Sequence, residues 1–108
     1  MRDIKFRAWN RNTNSWNFIN YTVDAVASLG VATTGYAWCQ STGLYDKRGH
    51  LIYEGDIINP NHEIASHHYR PKIVEWKNTR YYNGFNVGKS ENGKCEIIGN
   101  IYENKDLL

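Results

Sequence analysis

The stretch QSTGLYDKRGHLIYEGDII, residues 40–58, decides the fold. At its centre Asp46, Lys47, Arg48 and Gly49 fit a type I turn closed by a glycine in the left-handed region, a common join between two antiparallel strands with a bulge. Leu44, Leu51 and Tyr53 flank the turn and are placed to pack across the hairpin. Glu54, Gly55 and Asp56 then bend the chain before Ile57 and Ile58 enter another strand. A glycine suits such a bend because it carries no Cβ.

Working outward, strand signals recur on both sides. Towards the N-terminus, residues 4–9 alternate, with Ile4, Phe6 and Ala8 on one face and Lys5, Arg7 and Trp9 on the other, which is the period of a strand. The polar turn NRNTNS at 10–15 joins this segment to WNFINY at 16–21, so a hairpin is expected. Residues 24–29 admit a short helix, with Asp24 near its start and Gly30 just past its end. Residues 36–40 alternate again. Towards the C-terminus, residues 59–71 hold both prolines and three of the four histidines and read as a long surface loop. A second hairpin is expected from residues 73–76 and 81–87 around Lys77, Asn78, Thr79 and Arg80, then a turn at 88–93 and a final strand at 95–98. The expected fold is mostly β: a small bent antiparallel sheet or an SH3-like, partly open barrel with one or two short helical turns.

Composition agrees with that class and narrows the compartment. A length of 108 residues fits one domain, spanning 1–108, and 41% hydrophobic with 22% charged residues is globular rather than disordered. Four Trp, eight Tyr and three Phe favour strands. No apolar run approaches the roughly 18 residues of a membrane span, and MRDIKFRAWN has no apolar signal core, so a soluble cytoplasmic protein with no membrane partner is expected. Cys39 and Cys95 sit in no metal spacing and read as reduced, buried thiols. The net charge of +2 favours no particular partner. Its distribution is uneven: residues 70–94 hold six basic residues against two acidic ones, whereas residues 95–108 are acidic on balance.

Three blocks in register resemble the YopX-like proteins of bacteriophages and prophages. IKFRAWN at 4–10 is similar to that family's KFRAWD, the central block to its Q-x-TGLKDKNGKEIYEGDIV, and IIGNIYENKDLL at 97–108 to its VIGNIYENPELL. The resemblance implies a mostly-β fold, a phage or prophage origin and hence a bacterial host cytoplasm; it implies no reaction, since none is established for the family. The motif residues it marks are Thr42, Gly43, Leu44, Asp46, Gly49, Tyr53, Glu54, Gly55, Asp56, Gly99, Asn100, Tyr102, Glu103 and Asn104. These are residue types that specify a backbone. Two positions depart from the pattern: Asn10 stands where the family has Asp, and Lys105 where it has Pro. Asn104 has the character of a helix N-cap, with position 105 the first helical residue, where Pro is favoured but dispensable.

Candidate chemistry is sparse. Glu54 and Asp56 form a carboxylate pair suited in principle to acid–base or metal work, but no partner stands at a fixed spacing, and the glycine between them points to a strand bend. His50, His62, His67 and His68 lack the paired spacing of a zinc site, and neither cysteine is near. Ser41, Ser66 and Ser90 lie in no nucleophile motif, Cys39 has no neighbouring histidine, and the glycines stand singly at turns. A non-enzymatic protein without cofactor or metal is therefore expected. The strongest binding signal is basic and aromatic interleaving: Arg70, Lys72, Trp76, Lys77, Arg80, Tyr81 and Tyr82 on the second hairpin, with Lys5, Arg7 and Trp9 on the outward face of the first strand. Cations beside stacking aromatics are what single-stranded nucleic acid requires. Two functions follow: an interaction module docking on an unidentified host or phage protein, or alternatively a nucleic-acid-binding accessory protein. Exposed strand edges leave a homodimer open.

Overall fold

A computed structural model describes residues 4–28, 35–59, 71–80, 83–104 and 106. Its strands fall into three small antiparallel sheets. The largest has the order β2-β1-β3-β4, from β1 (Lys5–Asn10), β2 (Ser15–Thr22), β3 (Tyr36–Tyr45) and β4 (Leu51–Tyr53). The next is β6-β5-β9, from β5 (Asp56–Asn59), β6 (Lys72–Ile73) and β9 (Glu96–Asn100). The third pairs β7 (Trp76–Asn78) with β8 (Asn83–Phe85). The fold is mostly β, as expected, in small antiparallel sheets that do not close into a barrel among the described residues. Local breaks explain why. The β3–β4 register slips between Ser41 and Tyr45, where Gly43 has a φ of 81°, and Gly55 at φ 89° turns the chain out of β4 into a different sheet.

The first hairpin forms where alternation places it. Asn10 caps its turn by accepting hydrogen bonds from the N–H groups of Asn12 (2.9 Å) and Thr13 (3.2 Å). Its amide oxygen thus does what a carboxylate would do there. Opposite Arg7, β2 bulges over residues 18–20, with Phe18 and Asn20 at φ 56° and 63°. The bulge swings Phe18 onto Trp38, ring stacked on ring at 5.6 Å. The helix admitted at 24–29 is taken up by α1 (Val23–Ser28), and the Thr22 hydroxyl accepts the Ala25 N–H at its start; Leu29 and Gly30 lie outside the described residues.

The second hairpin differs from expectation. Its strands are Trp76–Asn78 and Asn83–Phe85, so Lys77 and Asn78 lie in a strand rather than in the turn, while Ile73 pairs with Ile57 in another sheet. The change of sheet falls at Val74, fully buried, whose N–H and C=O bond Asp56 and Gly55. Asn86 holds the crossing by accepting the Glu75 N–H and donating to the Ile73 carbonyl. A 3₁₀ turn at Lys89–Glu91 occupies the expected turn before β9. At the C-terminus the Asn104 side-chain oxygen accepts the Asn100 N–H (3.1 Å); residues 105, 107 and 108, on which the expected helix cap and the Lys105 position fall, lie outside the described residues. The Asn104 side chain lies over Gly99, where any Cβ would meet it at 2.6 Å.

One apolar cluster joins the pieces: Ile52 from β4, Ile58 from β5, Val74, Phe85 from β8, Val87, and Cys95 before β9. Each large buried side chain contributes about 1.5–3 kcal/mol, which is what links sheets that share few hydrogen bonds.

The central turn has the expected form. Gly49 adopts φ 84° and donates to the Asp46 carbonyl, while Asp46 N–H bonds the His50 carbonyl. Asp46 is 2% exposed, and its side chain accepts from the N–H groups of Arg48, His50 and Ile97. Burial alone would raise its pKa, but these backbone donors outweigh it and hold the carboxyl below its ordinary 3.8. Its contribution to stability is therefore complete above that value and lost as pH falls through the lower folded one. Asp46→Asn is expected to be less stable than the parent near neutral pH, with the gap narrowing in acid. Urea midpoints at neutral pH and at about pH 2–3 check this; a gap of constant size would contradict it.

Candidate functional site

The three sequence blocks meet at one place. Arg7 of β1 extends its guanidinium to Asp56 at the start of β5, with Nη2 2.5 Å from Oδ1. The second Asp56 oxygen accepts the Tyr53 N–H at 2.8 Å. The Arg7 guanidinium sits 4.0 Å from the Trp16 ring centre and 4.6 Å from that of Tyr53. This enclosure gives it cation–π contact on top of the ion pair. Beside it, Trp9 stacks on Tyr102 at 5.6 Å, and Trp16 meets both rings edge-on.

The third block closes the site with its own side chains. Asn100 accepts the N–H groups of Tyr102 and Glu103 and donates to the Glu103 carboxylate, which also accepts the Trp16 indole N–H at 2.9 Å. Those two donors, Asn100 first, hold the Glu103 pKa below its usual value. The Tyr102 hydroxyl lies 3.8 Å from the Cys39 sulfur, and burial pushes the phenol up to about 12. Burial likewise raises both thiols, Cys39 and Cys95, away from a reactive thiolate.

A family model described as YopX protein matches residues 5–108. The chain belongs to the YopX family. Over 100% of this YopX chain and 99% of the other, it also matches the crystal structure of protein EF1440 from Enterococcus faecalis, with a TM-score of 0.60 at 21% sequence identity. That likeness concerns the fold. No curated protein matches the chain.

The geometry shows what the YopX blocks do. Glu54 and Asp56 turn to different partners, Glu54 accepting the Gln40 N–H and Asp56 pairing with Arg7, so they do not act as a carboxylate pair. Thr42 bridges the bulge, donating to the Ile52 carbonyl and accepting from Leu44 N–H. Leu44 packs on the core.

Several residues expected to bind are instead built in. Arg7 and Trp9 do not face outward: the Arg7 side chain is 15% exposed and Trp9 6%, because the C-terminal block covers that face of β1. Lys72 donates to the Asn86 carbonyl and to Glu91, and Lys77 is paired with Glu75. Lys5 lines an open cleft of about 480 Å³ with Asn20, Tyr45, His50 and Tyr53. Arg80 and Trp76 lie on the surface. Arg70, Tyr81 and Tyr82, and the loop with His62, His67 and His68, lie outside the described residues. Sequence reasoning missed Trp16, Trp38 and Asn86. The signal for Trp16 was its place directly across the first hairpin from Trp9, a cross-strand pair confirmed by the register.

Proposed function

We propose that this YopX protein is a non-enzymatic interaction module, encoded by a phage or prophage, that docks on a protein of its bacterial host or of the phage. One observation carries the reading. The side chains with chemical potential at the motif junction are bonded to one another, while large apolar side chains stand in solvent: Ile19 at 57% exposed, Val23 at 51%, Trp76 at 49% and Tyr45 at 48%. A half-exposed Trp or Tyr is a favoured anchor in protein interfaces, and a buried Asp bonded through both oxygens is not a general base awaiting substrate. The internal pairing of Arg7, Lys72 and Lys77 weakens the nucleic-acid alternative in the same stroke. Affinity capture from phage-infected host cells is expected to recover a specific protein whose retention resists moderate salt. Recovery of nucleic acid alone, lost steeply between low and moderate salt, would replace this reading, and recovery of no specific partner would remove it.

A further inference from the structure

The N-terminal end of β3 carries an edge with no strand partner among the described residues, beside a cleft. Arg11 N–H bonds the Gly35 carbonyl (2.9 Å) and extends the unbroken β1–β3 register. In that register Ala37 and Cys39 turn their backbone groups towards β1, and Tyr36, Trp38 and Gln40 turn theirs the opposite way. β4 covers that second edge only from Ser41 onward. At Gln40 both backbone groups are taken by Glu54, whose N–H donates to the Gln40 carbonyl and whose carboxylate accepts the Gln40 N–H, each at 3.0 Å. Beyond it, Tyr36 and Trp38 have no strand partner on this side among the described residues.

The cleft at this edge has a definite chemistry. It measures about 220 Å³ and is lined by Trp38, Glu54, Ile73, Glu75 and Tyr102, among others. That is below the roughly 300–1,000 Å³ of pockets that enclose small molecules, and suits one long side chain. Its two charged walls are carboxylates, and the neighbouring cation Lys77 reaches Glu75 but does not line the cleft. The Trp38 indole N–H is buried with no acceptor, a condition that native proteins seldom leave without a reason.

The geometry points to strand addition: an extended segment of a partner protein pairs with the Tyr36–Trp38 edge and lays a Lys or Arg side chain in the cleft against Glu54 and Glu75. Backbone pairing supplies affinity in this mode, and the side-chain cleft supplies selectivity. An aliphatic stem against Ile73 and Tyr102, with a cationic head at the carboxylates, matches how such side chains divide between apolar and polar surroundings. The assignment rests on the docking reading and names where, and by what chemistry, docking occurs.

The test is selection of short displayed random peptides on the intact protein, followed by titration of the winning peptide into the parent and into Glu54→Gln/Glu75→Gln. The amide replacements keep an acceptor for Gln40 N–H, so the fold is retained. Enriched sequences are expected to carry Lys or Arg in an extended, proline-free context. The doubly substituted protein should bind them at least about tenfold more weakly, as for loss of a well-placed charge partner. The Tyr36 and Trp38 backbone amide resonances should shift on binding. Winners without a basic residue, binding unchanged by the double substitution, no winners at all, or Trp38 shifts that grow with protein concentration alone (a second copy on the edge) would each overturn the assignment. A captured partner that still binds the double variant leaves docking standing and removes this site; absence of any captured partner removes docking itself.

Discussion

Asp56→Ala is expected to lower stability by about 3 kcal/mol, in the range for breaking an enclosed ion pair from one side. The loss has two sources. The Arg7 guanidinium stays between the Trp16 and Tyr53 rings without its counter-charge, and the Tyr53 N–H loses its acceptor. Arg7 is poorly placed to adapt, since its Nε is already buried without a partner. Urea unfolding should show a lower midpoint at unchanged slope, and a loss under about 1 kcal/mol would mean that water reaches the guanidinium. The carboxyl has its own pH signature. Burial pushes the Asp56 pKa up, against the pull of Arg7 and the Tyr53 N–H. Its contribution is thus greatest below the ordinary 3.8 and declines as pH rises through the folded value, opposite in sign to that of Asp46.

Ile52→Ala is expected to cost about 2–5 kcal/mol, the range for emptying a close-packed site. Ile52 is fully buried in the cluster that joins β4 to Phe85 of β8 and to Cys95 before β9. Those pieces belong to different sheets, so apolar contact adds to the few hydrogen bonds that cross between them, such as Ile97 N–H to Asp46. Amide hydrogen exchange should show β8 and β9 losing protection together in the variant. Loss confined to β4 would show that the sheets are held by something else.

The central hairpin was legible because turn chemistry is local: an aspartate, a left-handed glycine and flanking apolar residues act within a few positions of one another. The first hairpin was legible for the same reason, and its alternation gave the strand. Alternation could not say which face would be covered. Arg7 and Trp9 look outward on polarity, yet the covering group comes from Asn100 to Glu103, about ninety residues away. The second hairpin was misplaced because Val74, an ordinary strand residue by type, is where the chain changes sheets. Asn86 fixes that crossing through two backbone bonds that no local pattern announces. The family blocks marked the right residues, with their roles visible only once Asp56, Arg7 and Glu103 had their partners. The edge beside Trp38, unpaired among the described residues, left no trace in the sequence, since a strand's pairing is a property of the topology and not of any residue.

The central claim is that the YopX blocks lock one another through the Arg7–Asp56 pair, and a double-mutant cycle on these two residues tests it most directly. Unfolding free energies would be measured for the parent, Arg7→Met, Asp56→Leu and the two together. Each single change should destabilise by roughly 2–4 kcal/mol, while the pair should recover most of that loss, with a coupling above about 1.5 kcal/mol. Single losses that simply add, to within about 0.5 kcal/mol, would contradict the lock and return the Arg7–Asp56 pair to the list of groups held ready for a ligand.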